Sequence, residues 1–314
     1  MRLPSRGAAL AAALAVGTLS AQDAATVRRE VRAYREAREP QIVREFADLL
    51  AIPNVASDAP NIRRNAEHIK VMLERRGLAA QILENGVHPP AVFAELRTPG
   101  ATRTVVFYAH YDGQPVTPAE WTTPPWQVTL RDKALFAGGK PMVIPTSGRI
   151  DPEARLYARG ASDDKAPIVA MLTALDALRA AGRAPSVNLK FFFEGEEEAG
   201  SENLRPLLAR YASLLTADAW IICDGPVHQS RKQQVTFGVR GVVGFEATVY
   251  GPTRPLHDGH YGNWAPNPAV LIADLVRALR DPDGGPASAT VIHRLMLDGV
   301  SLPADPRVLD AGCG

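Results

Sequence analysis

The chain has 314 residues, room for two ordinary domains, and its 46% hydrophobic and 22% charged residues describe a globular protein rather than a disordered one. Lys+Arg 35 against Asp+Glu 34 leaves a formal net charge of +1, so no bulk field directs the chain to nucleic acid or to an anionic membrane surface. The sequence repeats at no fixed period, which argues against a solenoid or propeller.

The N-terminus, MRLPSRGAALAAALAVGTLSAQDA, sets Arg2 and Arg6 before an Ala/Leu-rich core, with small residues near Ser20 and Ala21. This is the layout of a secretory signal peptide over residues 1–21, and its core is shorter than the ~20 residues a membrane span needs. A short buried helix is the alternative. Secretion or export to the periplasm is expected, with no membrane association after signal removal.

A helix is predicted over 24–51, with Ile42, Phe46 and Leu49 at helical spacing. SDAPNIRRNAEHIKVMLERRGL reads as a second amphipathic helix, with Ile62, Ile69, Val71 and Leu73 inward and Gly77 as its stop. AVFAEL and TVVFYAH follow as strands. Residues 113–155, rich in Pro and Gly, read as a long and mostly irregular connection. A loop and a helix from about Ala166 to Ala181 come next. SVNLKFFFEG and AWIICDG are further buried strands, with a helix near 202–212 between them. Cys223 reads as a small core residue, and with Cys313 it makes no disulfide framework.

Apolar strands alternating with helices predict an α/β fold, a sheet covered by helices, in a first domain over 22–235. Beyond it, QVTFGVRGVVGFEATVYGP reads as two antiparallel strands around Arg240-Gly241. A polar loop and a helix at about 268–280 follow, the start of a smaller α+β domain over 236–286.

Ligands of such sheets lie outside the carboxyl ends of the strands, and those ends are heavily loaded here. One strand runs into His110, Tyr111 and Asp112, another into Glu194, Glu196, Glu197 and Glu198, and a third into Asp224. Asp163 and Asp164 open a helix between them. Taken singly, these residues are helix caps, turn residues or a solvated acidic loop. Converging on one sheet edge, their carboxylates repel unless cations neutralise them. Carboxylates with a histidine suit Zn²⁺, Co²⁺ or Mn²⁺, and Asp112, two residues from His110 on the same strand face, can accept the other imidazole N–H.

HYDGQPV, ARGASDDKAP, FEGEEEAGS, CDGP and RPLHDGHYGNWAPNP together resemble the M20 family of dinuclear zinc peptidases over roughly residues 30–285. The resemblance implies a mixed sheet, a lid or dimerisation domain, and hydrolysis of dipeptides or N-acyl amino acids. It implies His110 and Asp224 as ligands of one metal, Asp163 as the bridge and Glu198 as a ligand of the second. Asp112 would support His110, Glu197 would be the general base and acid, and His257 in PLHDG would be the lid histidine. Asp258 stands where the family usually has serine. A homodimer through the lid is implied as well.

The family's discontinuous layout also implies a returning segment that supplies a last histidine to the second metal. No residue after the lid motif matches it, so the second metal's set is expected to lack its third protein ligand. The tail, 287–314, ends in PRVLDAGCG, which resembles the first strand and glycine turn of S-adenosylmethionine-dependent methyltransferases. A truncated or chimeric reading frame and a chance match in an irregular tail both fit it.

Overall fold

The computed structural model describes residues 6–280 apart from 226, 229, 233 and 239–245, with side chains from residue 24. The hairpin centre Arg240-Gly241 and the tail 287–314 with Cys313 lie outside the described residues, and the described residues beside that centre, 234–238 and 246–253, form no strand, against the sequence expectation. The chain divides into two compact units, Met1–Pro226 and Val227–Gly314.

In the first unit, α1 (Arg6–Leu50) contains the helix expected at 24–51. No described helix is long and apolar enough to cross a membrane. Helix α2 (Ala59–Glu74) starts where the Asp58 carboxylate accepts the Asn61 N–H, with Pro60 in the first turn. It stops before Gly77, whose φ of 64° is the left-handed conformation a glycine adopts without steric cost. Ile62, Ala66, Ile69, Met72 and Leu73 are buried, whereas Val71 is 41% exposed. Two residues beyond Ile69 the helix has turned ~200°, so Val71 faces outward, against the sequence expectation.

Strands β1 (Ala79–Asn85), β2 (His88–Leu96) and β3 (Thr104–His110) follow. The connection expected to be irregular carries a small antiparallel sheet instead. Its strands are β4 (Thr129–Arg131), β5 (Pro141–Met142) and β6 (Arg155–Tyr157), in the order β5-β4-β6. Strands of two or three residues leave no periodic signature for the sequence to display.

Helix α3 (Lys165–Ala180), strand β7 (Asn188–Glu194), helices α4 (Leu204–Arg210) and α5 (Ala212–Leu215) and strand β8 (Ala219–Ile222) complete the unit. The sheet runs β1-β2-β7-β3-β8 and is mixed: β2 pairs antiparallel with β1 and β7, whereas β3 is parallel to β7 and β8. The three phenylalanines of β7 alternate across it. Phe191 and Phe193 join Ile62, Ile69, Leu73 and Leu172 on the face covered by α1, α2 and α3. Phe192 joins Val106, Phe93, Leu207 and Leu215 on the other. Arg76 ties the first layer together, bonding both oxygens of Glu45 on α1 and Asp176 on α3.

Coverage fails at β8. Trp220, Ile221 and Ile222 are 39%, 45% and 59% exposed, and Cys223 is only half-buried rather than part of the core. β8 is the edge strand, and among the described residues nothing pairs with its outer side. In the second unit, α6 (Asp258–Tyr261) and α7 (Pro268–Ala278) are short; Asn267 caps α7 by accepting the Ala269 N–H.

Phe193→Ala should cost about 3–5 kcal/mol in urea unfolding followed by circular dichroism, whereas Val71→Ser should stay within about 0.5 kcal/mol.

Candidate metal centre

Parallel pairing of β3 with β7 sets His110 opposite Glu194, so the two strands end level. The Tyr111 N–H then donates to the Glu194 carbonyl at 2.8 Å. Residue 195 has to be glycine for the chain to turn there, because a side chain would run into the Tyr111 hydroxyl, itself bonded to the Pro90 carbonyl.

Asp112 is fully buried and joins three pieces of the site. Its Oδ1 and Oδ2 accept the N–H groups of Glu197 and Glu198 at 3.1 and 3.0 Å, where a 3-10 turn begins. Its Oδ1 also lies 3.3 Å from His110 Nδ1, near enough for ion pairing but off the line of a good hydrogen bond. On the far side of the ring, His110 Nε2 is 2.9 Å from Asp163 Oδ1 and 3.8 Å from both Asp224 Oδ2 and Glu197 Oε2.

One ligand atom each from His110, Asp163 and Asp224 falls within 4.8 Å of the others. The Asp163-Asp164 peptide is cis. Asp164 stands at the N-cap of α3 without capping it; its buried carboxylate accepts the His110 N–H at 3.2 Å instead.

Glu198 stands outside the trio, its Oε2 held at 2.7 Å by the Gln114 amide. Gln114 escaped the sequence reading, although it lies four residues past His110 in the same motif. Glu194, expected to shape or solvate the turn, is buried and accepts the Tyr108 hydroxyl at 2.7 Å. Glu196 does shape the turn, holding the Asn203 N–H and side-chain amide. His257 belongs to the second unit. There its Nδ1 accepts the Gly259 N–H at 3.0 Å, beside a hollow of about 780 Å³ lined by Arg254, Trp264 and Asn267 among others.

The electrostatics are those of an under-neutralised acidic cluster. Burial works against a charged His110 ring, yet the carboxylates of Asp112, Asp164 and Asp224 push it up to about 10. Burial, reinforced by Asp224 and Asp163, pushes Asp164 up to about 8. Glu197 and Asp224 are raised as well, first by burial and then by neighbouring carboxylates. The nearest lysine gives little relief. Burial pulls Lys165 down to about 7, and its ammonium is turned to the Leu49 and Ile52 carbonyls. One imidazole nitrogen and two carboxylate oxygens converging among acids fit a divalent cation of the zinc type.

The sequence profile described as "Peptidase family M20/M25/M40" matches residues 106–291. The chain belongs to this family. Among relatives, it is 28% identical to the Cys-Gly metallodipeptidase of Schizosaccharomyces pombe over 262 residues, 79% of this chain and 51% of that protein. It is 32% identical to the human Beta-Ala-His dipeptidase over 199 residues, 62% of this chain and 36% of that protein.

Among solved structures, an M20 family metallo-carboxypeptidase from Sulfolobus solfataricus aligns with a TM-score of 0.59 at 27% identity, covering 85% of this chain and 55% of that one. The Saccharomyces cerevisiae dipeptidase Dug1p aligns at 0.61 and 23% identity, covering 91% and 57%, and shares the fold. The chain spans about half the length of the curated relatives it matches.

In this M20 chain a cation at the candidate trio would compete with a proton for His110. Its pKa lies above its ordinary value, so the ring is protonated at neutral pH and must shed that proton to bind metal. Apparent cobalt affinity, measured by visible absorption, should rise about tenfold per unit between about pH 6.5 and about 8.5.

Proposed function

We propose that the chain carries the catalytic half-site of a metal-dependent dipeptidase that hydrolyses the amide bond of a dipeptide or N-acyl amino acid. The convergence of His110, Asp163 and Asp224, with Glu197 beside them, carries this reading. His110, Asp163 and Asp224 would hold one zinc-type cation, with Asp163 and Glu198 offered to a second; Co²⁺ and Mn²⁺ suit the same donors. When bound, such ions polarise an amide carbonyl and lower the pKa of water.

Asp112 orients both the His110 ring and the backbone that presents Glu197. Glu197 is 37% exposed and raised above the ordinary carboxylate range, which suits a group that takes a proton from water and returns it to the departing amine. The C–N bond of the amide breaks, the water oxygen ends in the new carboxylate, and both water protons end on the departing amine, which leaves as an ammonium group. The PLHDG resemblance supports His257 of the second unit as the donor to the developing oxyanion at a neighbouring copy's site. The dipeptidase names of the relatives support small peptides as substrates, and the basic-apolar leader supports export to the periplasm or medium. A homodimer through the second unit belongs to the same reading.

A second reading is favoured by one observation: Glu198 stands outside the ligand trio, bonded to Gln114. On it the chain holds one cation and turns over little. Metal analysis by mass spectrometry after zinc loading, with assays on Cys-Gly and β-Ala-His, separates the two. Two ions with turnover support the first reading, and one ion without turnover supports the second.

Glu197→Gln should lower turnover by at least about 10³-fold while cobalt binding stays within about threefold of wild type. Wild-type-like hydrolysis by the loaded variant would refute the proton-transfer role.

A further inference from the structure

The turns bearing the candidate ligands both rest on the loop that follows α1. Lys165, at the start of α3, grips the end of α1 through the Leu49 carbonyl and that loop through the Ile52 carbonyl. Asn54 grips from the loop outward, and it is 0% exposed. Its Nδ2 donates to the Tyr111 carbonyl at 3.0 Å, its Oδ1 accepts the Trp126 indole N–H at 3.0 Å, and its backbone carbonyl accepts the Gly113 N–H at 2.8 Å. Glycines clear the space around it. A Cβ at Gly113 would come within 2.9 Å of the Asn54 amide nitrogen, and one at Gly160 within 2.8 Å.

We propose that Asn54 is a positioning residue for the metal centre, acting through the two turns it touches. Bonds to Tyr111 and Gly113 fix the residues on either side of Asp112, whose carboxylate holds the N–H groups of Glu197 and Glu198. Contact with Gly160 sets the height of the turn that ends in Asp163. The Asn54 amide is thus the spacer between the half of the site on β3 and the half that opens α3. An apolar residue of the same size would fill the space, but it would leave the buried Tyr111 carbonyl unpaired and the two turns free to drift. The proposal rests on the reading of His110, Asp163 and Asp224 as a cation site.

The test compares the full chain with Asn54→Ala and Asn54→Asp, using cobalt titration, the visible cobalt spectrum and the melting of the metal-free protein. Asn54→Asp keeps the shape and the acceptor for Trp126 but loses the donor to Tyr111. Both variants should bind cobalt about 10–100-fold more weakly, with altered band positions, at temperatures where circular dichroism shows them folded. Should the alanine variant fail to fold, the aspartate variant decides by the same measurements. A lowered melting temperature with unchanged cobalt affinity and spectrum would overturn the proposal and leave Asn54 a purely structural residue. A wild-type chain that binds no cobalt would defeat the metal reading, and this proposal with it.

Discussion

The carboxylate of Asp112 is the junction on which the carboxyl edge of the sheet depends. It is buried at the end of β3, next to a histidine ring on one side and two backbone N–H groups from the chain after β7 on the other. A buried carboxylate is tolerated in such a place because N–H donors and an imidazole ring surround it. Remove it, and the ring loses its electrostatic partner while the turn presenting Glu197 loses its anchor. The parallel register of β3 and β7 makes this possible, since it brings both strand ends to the same level.

Around that junction the molecule accumulates negative charge beyond what its own cations offset. Lys165, the one lysine beside the paired aspartates, is turned inward onto backbone carbonyls. The consequence is visible in the groups themselves. A histidine is held protonated, and carboxyls are raised toward neutrality. A divalent cation held there would supply the same neutralisation with directional bonds.

Much of this was legible in the sequence, for reasons that vary with the element. TVVFYAH and LKFFFEG are continuous apolar runs that end in acids, so both the strands and the chemistry at their ends could be read locally. The inner face of α2 followed from its period, with Val71 misplaced because it lies off the stripe. By contrast, β1 is built from AAQILEN, residues with weak strand preference, and exists because it pairs with β2. The burial of Glu194 and the bond between Gln114 and Glu198 are products of long-range register and turn geometry. Asn54 looks in sequence like any polar loop residue, since its three partners, Tyr111, Gly113 and Trp126, lie 57 to 72 positions away.

The exposed edge strand carries a consequence for motion. Among the described residues β8 is short, is paired on one side only and has wet faces, so it belongs to the class of elements that open locally well before the whole protein unfolds. Asp224 follows it by two residues, and opening of β8 would withdraw that carboxylate from His110 and Asp163. On the proposed cation site, strand docking and cation capture would be one equilibrium, an ion held by the trio acting as a rivet for β8. Amide hydrogens of β8 would report on it directly, exchanging slowly when the rivet is in place and quickly when it is not.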